Sequence, residues 1–144
     1  MSDACPLPSP LDDAHTAVIK RMLAGKRIAV VGASDDPSRA SNHVFEYLLE
    51  AGYDVIPVNP NCATVGEVAC VPSLSAIKGP VDVVDVFRRS EACADIAREA
   101  IEIGAKGIWL QSGIHNDEAR QFARDAGIDY IEDRCIMVEH MRRG

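Results

Sequence analysis

The chain has 144 residues, of which 47% are hydrophobic, so it can form one domain with a packed core. The net charge of −7 argues against a nucleic-acid-binding protein, because a phosphate backbone is bound by a basic surface. No apolar run approaches the ~20 residues that span a bilayer, and residues 1–15 carry acids and prolines unlike a signal peptide. We therefore predict a cytoplasmic protein that binds neither nucleic acid nor membrane.

Residues 1–24 are expected to form an N-terminal arm and a helix, with Asp12 or Asp13 as the N-cap. From residue 25 to 144, apolar runs typical of buried strands alternate with segments of helical periodicity. Strands are predicted at 27–32, 53–58, 81–87, 105–111 and 128–132, and helices at 41–52, 90–104, 115–127 and 133–143. Residues 59–73 are expected to form a loop, and 74–79 at most one helical turn.

This alternation predicts an α/β fold with three layers, a Rossmann-like, doubly wound sheet of five parallel strands. We expect the strand order 3-2-1-4-5. In such sheets ligands lie beyond the carboxyl ends of the strands, where the order reverses. The loops after strands one to four are therefore the places to look for function.

The loop after the first strand has the composition of a phosphate-binding turn. Gly32 allows a sharp turn, and Ala33 and Ser34 are small enough for a ligand to approach the backbone. Ser34 can donate a hydrogen bond to a phosphate, and Arg39 is the cation of this loop. The second and third glycines of the dinucleotide fingerprint are missing.

The helix that follows this loop would direct its free N–H groups toward the same ligand. Ser41 or Asn42 is expected to cap it.

The loop after the second strand argues against NAD. A typical NAD site has an acid at the end of this strand, whereas this chain has Val58, Asn59 and Pro60 there. Asp54 lies at the opposite end of the strand.

The loop after the third strand contains Phe87, Arg88 and Arg89, a candidate anion site in an acidic chain. Because adjacent side chains diverge, we expect only one arginine to face a ligand. Ser90 is interpreted as the cap of the next helix rather than a nucleophile.

The loop after the fourth strand offers Gln111, Ser112 and Gly113 for hydrogen bonds to a phosphate or a pantetheine-like group. His115 is interpreted as a solvated residue at a helix start. A nucleophilic pair of Cys135 and His140 is disfavoured because five residues of helix separate their side chains onto diverging faces.

The cysteines are interpreted as reduced, independent thiols. Their number is odd, and no two have CxxC spacing. No histidine follows Cys62 or Cys70 at zinc-finger spacing, so we predict no metal site. The five are Cys5, Cys62, Cys70, Cys93 and Cys135.

Taken together, the segments "IAVVGASDDPSRASNHVFEYLLEAGYDVIPVNPN", "VGEVACVPSLSAI", "VDVVDVFRRSE", "GAKGIWLQSGI" and "DRCIMVEH" resemble the CoA-binding domain family. Members of this family are similar to the CoA-binding domain of the succinyl-CoA synthetase α subunit and of ADP-forming acyl-CoA synthetases. The resemblance extends from Lys26 to His140.

The resemblance implies a CoA-binding Rossmann-like domain over residues 25–144 and coenzyme A or an acyl-CoA as the ligand. Four turns would form the site by resemblance. The implied residues are Gly32, Ala33, Ser34 and Arg39, then Val58, Asn59 and Pro60, then Val86, Phe87 and Arg88, and finally Gln111, Ser112 and Gly113.

The synthetases have in addition a domain with a phosphorylated histidine and a nucleotide-grasp partner. This chain shows no match to either, so we expect a CoA-binding protein without its own catalytic machinery: a carrier, a sensor or an accessory subunit. A small NAD(P)- or nucleotide-dependent enzyme is the alternative, and a regulatory module with a vestigial pocket is a third. A homodimer and an unknown protein partner both stay open.

Overall fold

The computed structural model describes residues 13–143, and their side chains from residue 15 onward. The predicted arm, a cap at Asp12 and the thiol of Cys5 therefore lie outside the described residues. The strands are β1 (Arg27–Val31), β2 (Asp54–Val58), β3 (Thr64–Val65), β4 (Val68–Ala69), β5 (Val83–Val86), β6 (Gly107–Leu110) and β7 (Asp129–Ile131). The helices are α1 (Asp13–Leu23), α2 (Ala40–Glu50), α3 (Cys93–Glu102), α4 (Asp117–Ala126) and α5 (Ile136–Arg143).

Five parallel strands form the main sheet, which confirms the predicted α/β class. Their spatial order is β2-β1-β5-β6-β7, which is 2-1-3-4-5 in the numbering of the five predicted strands. The predicted order 3-2-1-4-5 is wrong at one place, because the third predicted strand pairs with the first and not with the second. The connection over residues 59–82 is long enough to carry the chain back past β1. The order therefore reverses between β1 and β5, where a ligand is expected in such folds.

Helices cover both faces of the sheet, so the predicted three layers are confirmed. On one face α1, α2 and α5 pack over Ile28, Val30 and Trp109. On the other, α3 and α4 pack over Val84 and Ile108. Both faces of these strands are buried, as their continuous apolar sequences predict.

The loop predicted at residues 59–73 contains a small antiparallel hairpin that was not predicted. β3 and β4 pair through Val65 and Val68, and Gly66 takes a positive φ of 60° in the two-residue turn between them. Val71 then bridges to Val58, so this segment extends the sheet beyond β2. The expected single helical turn is present at Leu74–Ala76.

Two predicted helix caps are wrong. α2 begins one residue earlier than predicted, with Arg39 in the cap position and no side chain capping it. Ser90 opens a 3-10 turn, Ser90–Ala92, and α3 follows with Ala92 in the cap position. No described helix is long and apolar enough to cross a membrane.

Candidate functional site

A cleft of about 500 Å³ opens where the strand order reverses, at the carboxyl ends of β1, β2 and β5. We call it the carboxyl-edge cleft. It brings together nine of the residues considered from sequence, drawn from three of the four expected loops. Its lining consists of Gly32, Ala33, Ser34, Arg39, Ala40, Ser41, Asn59, Phe87, Arg88 and Arg89.

Gly32 is required where the loops after β1 and β5 touch. Its φ is +85°, a conformation that side chains disfavour. A Cβ at this position would lie 2.6 Å from the carbonyl oxygen of Phe87. The glycine predicted to allow close approach of a ligand thus allows close approach of a neighbouring loop, and this contact forms the floor of the cleft.

Two amide side chains fix the loop after β1 and leave peptide donors available. Asn59 Nδ2 donates to the carbonyl of Ala33 at 2.7 Å, and Asn42 Nδ2 donates to the carbonyl of Ser34 at 2.9 Å. Within residues 13–143, no protein group accepts the N–H of Ala33 or of Ser34. Ala33 is fully buried, whereas Ser34 is partly exposed, so the N–H of Ser34 remains accessible for a ligand, an arrangement that suits an anion.

The start of α2 adds further donors to the same cleft. Ala40 and Ser41 begin the helix and line the cleft, and no side chain caps this helix. Ser41 is 5% exposed. The first N–H groups of a helix lack partners within it and carry the positive end of its dipole. This is a second feature that favours a negatively charged ligand.

The arginines of the cleft differ from most others in the chain. Among the described residues, seven arginines are within ion-pair distance of an acid: Arg21, Arg27, Arg98, Arg120, Arg134, Arg142 and Arg143. Within the same part of the chain, Arg39, Arg88 and Arg89 form no ion pair, although all three are exposed at the cleft. Their charges are available to a ligand.

Neither acid of the loop "SDDP" lines the cleft. Asp36 accepts hydrogen bonds from the N–H and the hydroxyl of Ser38, and these bonds hold the pKa of its carboxyl below the ordinary value. Asp35 interacts with Cys70 instead. Neither carboxylate is therefore part of the lining, although the charge of Asp36 interacts with that of Arg39.

The remaining predicted site residues lie away from the cleft. Val58 and Val86 are buried at the ends of their strands, and Pro60 is exposed outside the lining. Gln111 is 4% exposed, and its Oε1 accepts the N–H of Ile136 at the start of α5.

Ser112 and Gly113 also lie outside the cleft, in a turn that packs against the segment before α5. Asp133 Oδ1 accepts the N–H of Gly113 at 2.6 Å. The loop after β6 thus joins two parts of the protein instead of lining the cleft.

Arg88 and Arg89 both line the cleft, and the expectation that only one of them faces a ligand stays a prediction. These residues follow the end of β5 and precede a 3-10 turn, so strand alternation does not separate their side chains. Ala40 was missed, and its sequence context carries no signal for a ligand.

The residues considered for catalysis do not form a catalytic group. Cys135 is buried, whereas His140 Nδ1 is 2.6 Å from the hydroxyl of Tyr47. His115 is exposed, and its peptide N–H donates to Ser90 Oγ. Among the described residues, no group of three or more potential ligands is placed to hold a metal ion.

A model described as "CoA binding domain" matches residues 26–141. The chain belongs to the CoA-binding domain family. It is 46% identical over 125 residues to the uncharacterised protein YneT of Bacillus subtilis strain 168, covering 86% of this chain and 93% of that protein. A solved structure of a hypothetical protein from Pyrococcus horikoshii OT3 is 37% identical, with a TM-score of 0.85 and coverage of 99% of this chain and 98% of the other.

The family also includes domains of larger enzymes. The chain is 27% identical over 107 residues to an ADP-forming acetate–CoA ligase of Archaeoglobus fulgidus. The match covers 73% of this chain but only 16% of the ligase. The similarity therefore concerns one domain of that enzyme, and the remaining parts of the ligase have no counterpart in the match.

Proposed function

We propose that the protein binds coenzyme A or an acyl-CoA in the carboxyl-edge cleft and acts as a carrier, a sensor or an accessory subunit. The observation that carries this proposal is the set of three arginines without acidic partners around a loop with free peptide N–H groups. In a chain of net charge −7, such a concentration of available positive charge suits a ligand with several phosphates.

The geometry suggests which groups of the cleft would bind which part of the ligand. A diphosphate would accept hydrogen bonds from the N–H group of Ser34 and from the start of α2. The arginines would pair with phosphate oxygens through two parallel hydrogen bonds. The side chain of Arg88 lies against Gly32 at the base of this loop, and Arg89 lines the same cleft, so both can pair with phosphate oxygens of the ligand.

The same cleft is less suited to NAD. The end of β2 carries Asn59 where a ribose-binding acid is expected, and its side-chain amide is already bonded to Ala33. We also propose that the carboxyl-edge cleft itself lacks catalytic groups, since the candidate nucleophile Cys135 is buried and lies outside its lining. The cytoplasmic location and the oligomeric state stay predictions.

Calorimetric titration with CoA, acetyl-CoA, NAD, NADP and ATP tests the proposal. We expect heat of binding with CoA and acetyl-CoA, and weaker binding of the others. Pantetheine, which lacks the phosphates, should bind far more weakly than CoA. Binding of NAD alone would overturn the proposal in favour of a nucleotide-dependent enzyme, and the absence of any binding would favour a vestigial pocket.

A pair of variants then locates the site. Replacing both Arg88 and Arg89 by alanine should weaken CoA binding by more than tenfold, because hydrogen bonds to charged groups contribute about 1.5–3 kcal/mol each. Arg21→Ala is the matched control, since this exposed arginine pairs with Asp129 at the opposite edge of the sheet. Equal affinities of the two variants would place the ligand elsewhere.

A further inference from the structure

Two cysteines meet at the base of the β3–β4 hairpin. The peptide N–H of Cys70 donates to the carbonyl of Ala63 at 2.9 Å, which places Cys70 opposite the residue next to Cys62. Both side chains are half-buried and pack against the same apolar cluster. The unpredicted hairpin therefore brings together two cysteines that are both free thiols.

The two thiols also interact directly. Burial, hydrogen bonding to Cys62 and the charges of Cys62 and Asp35 raise the pKa of Cys70 to about 12. Cys62 Sγ donates in turn to the carbonyl oxygen of Thr64 at 3.1 Å. The two thiols are thus close enough to influence each other, and Cys70 is the one whose pKa is raised.

We infer that Cys62 and Cys70 form a reactive dithiol site whose substrate is a low-molecular-weight disulfide. The Cys62 thiolate attacks one sulfur of the disulfide, which breaks the S–S bond and releases one half as a thiol. Cys70 then loses its proton and attacks Cys62 Sγ, which releases the second half as a thiol. The two protein thiols are oxidised to one intramolecular disulfide, and the substrate is reduced to two thiols that take the two protons.

The site lies beside the carboxyl-edge cleft. Asn59 connects the two, since its peptide N–H donates to the carbonyl of Val71 and its side chain holds Ala33 of the cleft. Asp35, which influences Cys70, follows directly after the cleft residue Ser34. A disulfide that itself contains CoA would therefore meet both the cleft and the thiols. The exchange reaction as such does not require that CoA binds.

The test incubates the reduced full-length protein with glutathione disulfide in one arm and CoA disulfide in the other. Intact mass and thiol titration follow the reaction, and peptide mapping identifies the bonds. We expect the loss of two hydrogen atoms, a cross-link between Cys62 and Cys70, and release of two thiols. A faster reaction with CoA disulfide would identify the CoA-containing compound as the preferred substrate. Equal rates would show that the site accepts small disulfides in general.

Single substitutions distinguish the first attack, by Cys62, from the second attack, by Cys70. Cys70→Ser should retain one molecule of the small thiol on Cys62, because the second step is blocked. Cys62→Ser should react at least tenfold more slowly, because burial raises the pKa of the remaining Cys70 thiol to about 12, which lowers its thiolate fraction far below that of an ordinary thiol. Cys93→Ser is the control and should behave as the wild type, since Cys93 is 1% exposed on the other face of the sheet.

Peptide mapping of the wild-type protein decides the outcome even if a variant folds poorly. The absence of a link between Cys62 and Cys70 in both arms would overturn the inference, and so would a link that uses another cysteine. Calorimetry with reduced protein measures CoA binding separately. A protein that forms the cross-link with glutathione disulfide but binds no CoA would contradict the proposed function and support the dithiol site.

Discussion

The two edges of the sheet both carry a cleft with basic side chains, but they differ in how the charges are used. The amino-edge cleft is the larger, at about 860 Å³ against about 500 Å³ for the carboxyl-edge cleft. In it, Arg21 pairs with Asp129, Arg27 with Asp54, and Lys106 with Asp82. The arginines of the carboxyl-edge cleft form no such pair with any described residue. Available charge, and not volume, therefore distinguishes the candidate binding site.

The backbone differs in the same way at the two edges. At the amino edge, the N–H groups of Lys26 and Arg27 donate to Asp82 at 2.8 and 3.0 Å. At the carboxyl edge, those of Ala33 and Ser34 have no acceptor among the described residues. One edge is thus complete without a ligand, whereas the other leaves donors that a ligand can use.

The largest expected effect concerns the floor of the carboxyl-edge cleft. Gly32→Ala should lower the free energy of unfolding by about 3 kcal/mol or more, because it combines a disfavoured φ with a backbone clash. Gly113→Ala is the control: its φ is +81°, but nothing lies within 4 Å of the added Cβ. We expect a loss of about 1 kcal/mol there. Equal losses in urea denaturation would show that the contact with Phe87 is unimportant.

In the loop after β1, the charged side chain should contribute more to CoA affinity than the neutral one. Arg39→Ala is expected to weaken CoA binding by about 10- to 100-fold, because it removes a charged donor. Ser34→Ala removes a neutral hydroxyl and should cost less than about tenfold. Calorimetry ranks the two variants, and the assignment of this loop to the phosphates fails if both bind CoA as the wild type does.

Two acidic residues near β5 should make the stability of the protein depend on pH in opposite directions. Asp85 is buried without a hydrogen-bond partner, and burial raises its pKa well above the ordinary 3.8. As pH rises from that value, the unfolded chain releases this proton while the native state keeps it. Stability should therefore fall by about 1.4 kcal/mol per pH unit up to the raised pKa. Asp85→Asn should abolish this decline.

Asp82, at the amino edge, shows the opposite case. Hydrogen bonds from the N–H groups of Lys26 and Arg27 lower the pKa of its carboxyl below 3.8. Its contribution is present above that pH and is lost as pH falls through the lowered pKa, so Asp82→Asn should weaken the acid-induced loss of stability. Urea unfolding between acid and neutral pH measures both slopes, and parallel curves for the two variants would contradict these assignments.

The smallest effect is expected at the amino-edge cleft. Arg21 is 59% exposed, and an ion pair in solvent contributes little to stability. Arg21→Ala should therefore leave both the thermal midpoint and the CoA affinity close to those of the wild type. A clear loss of CoA affinity would show that the amino-edge cleft takes part in binding.

The sequence was sufficient for the strands and helices of the main sheet, because buried strands and amphipathic helices differ in period and the Gly127 end of α4 is marked by its residue type. The sequence did not determine the strand order, because nothing in residues 59–82 shows whether the strand that follows them pairs with β1 or with β2. The two-residue strands of the hairpin are too short to show alternation. Val65, Gly66 and Val68 carried the only signal, a glycine turn between β-branched residues.

The carboxyl-edge cleft was predictable in part. Gly32, Ser34 and Arg39 follow a buried strand directly, so a parallel sheet places them at its carboxyl edge. Gln111 could not be assigned, because its contact with Ile136 depends on how α5 packs against the sheet. The meeting of Cys62 and Cys70 depends equally on tertiary structure.

A crystal structure of the protein grown with excess CoA tests the central claim most directly. We expect the diphosphate of CoA to accept hydrogen bonds from the N–H group of Ser34 and from the start of α2, with arginine side chains on the phosphate oxygens. CoA bound at the amino edge, or a carboxyl-edge cleft closed by the protein's own side chains while CoA is in excess, would contradict the account.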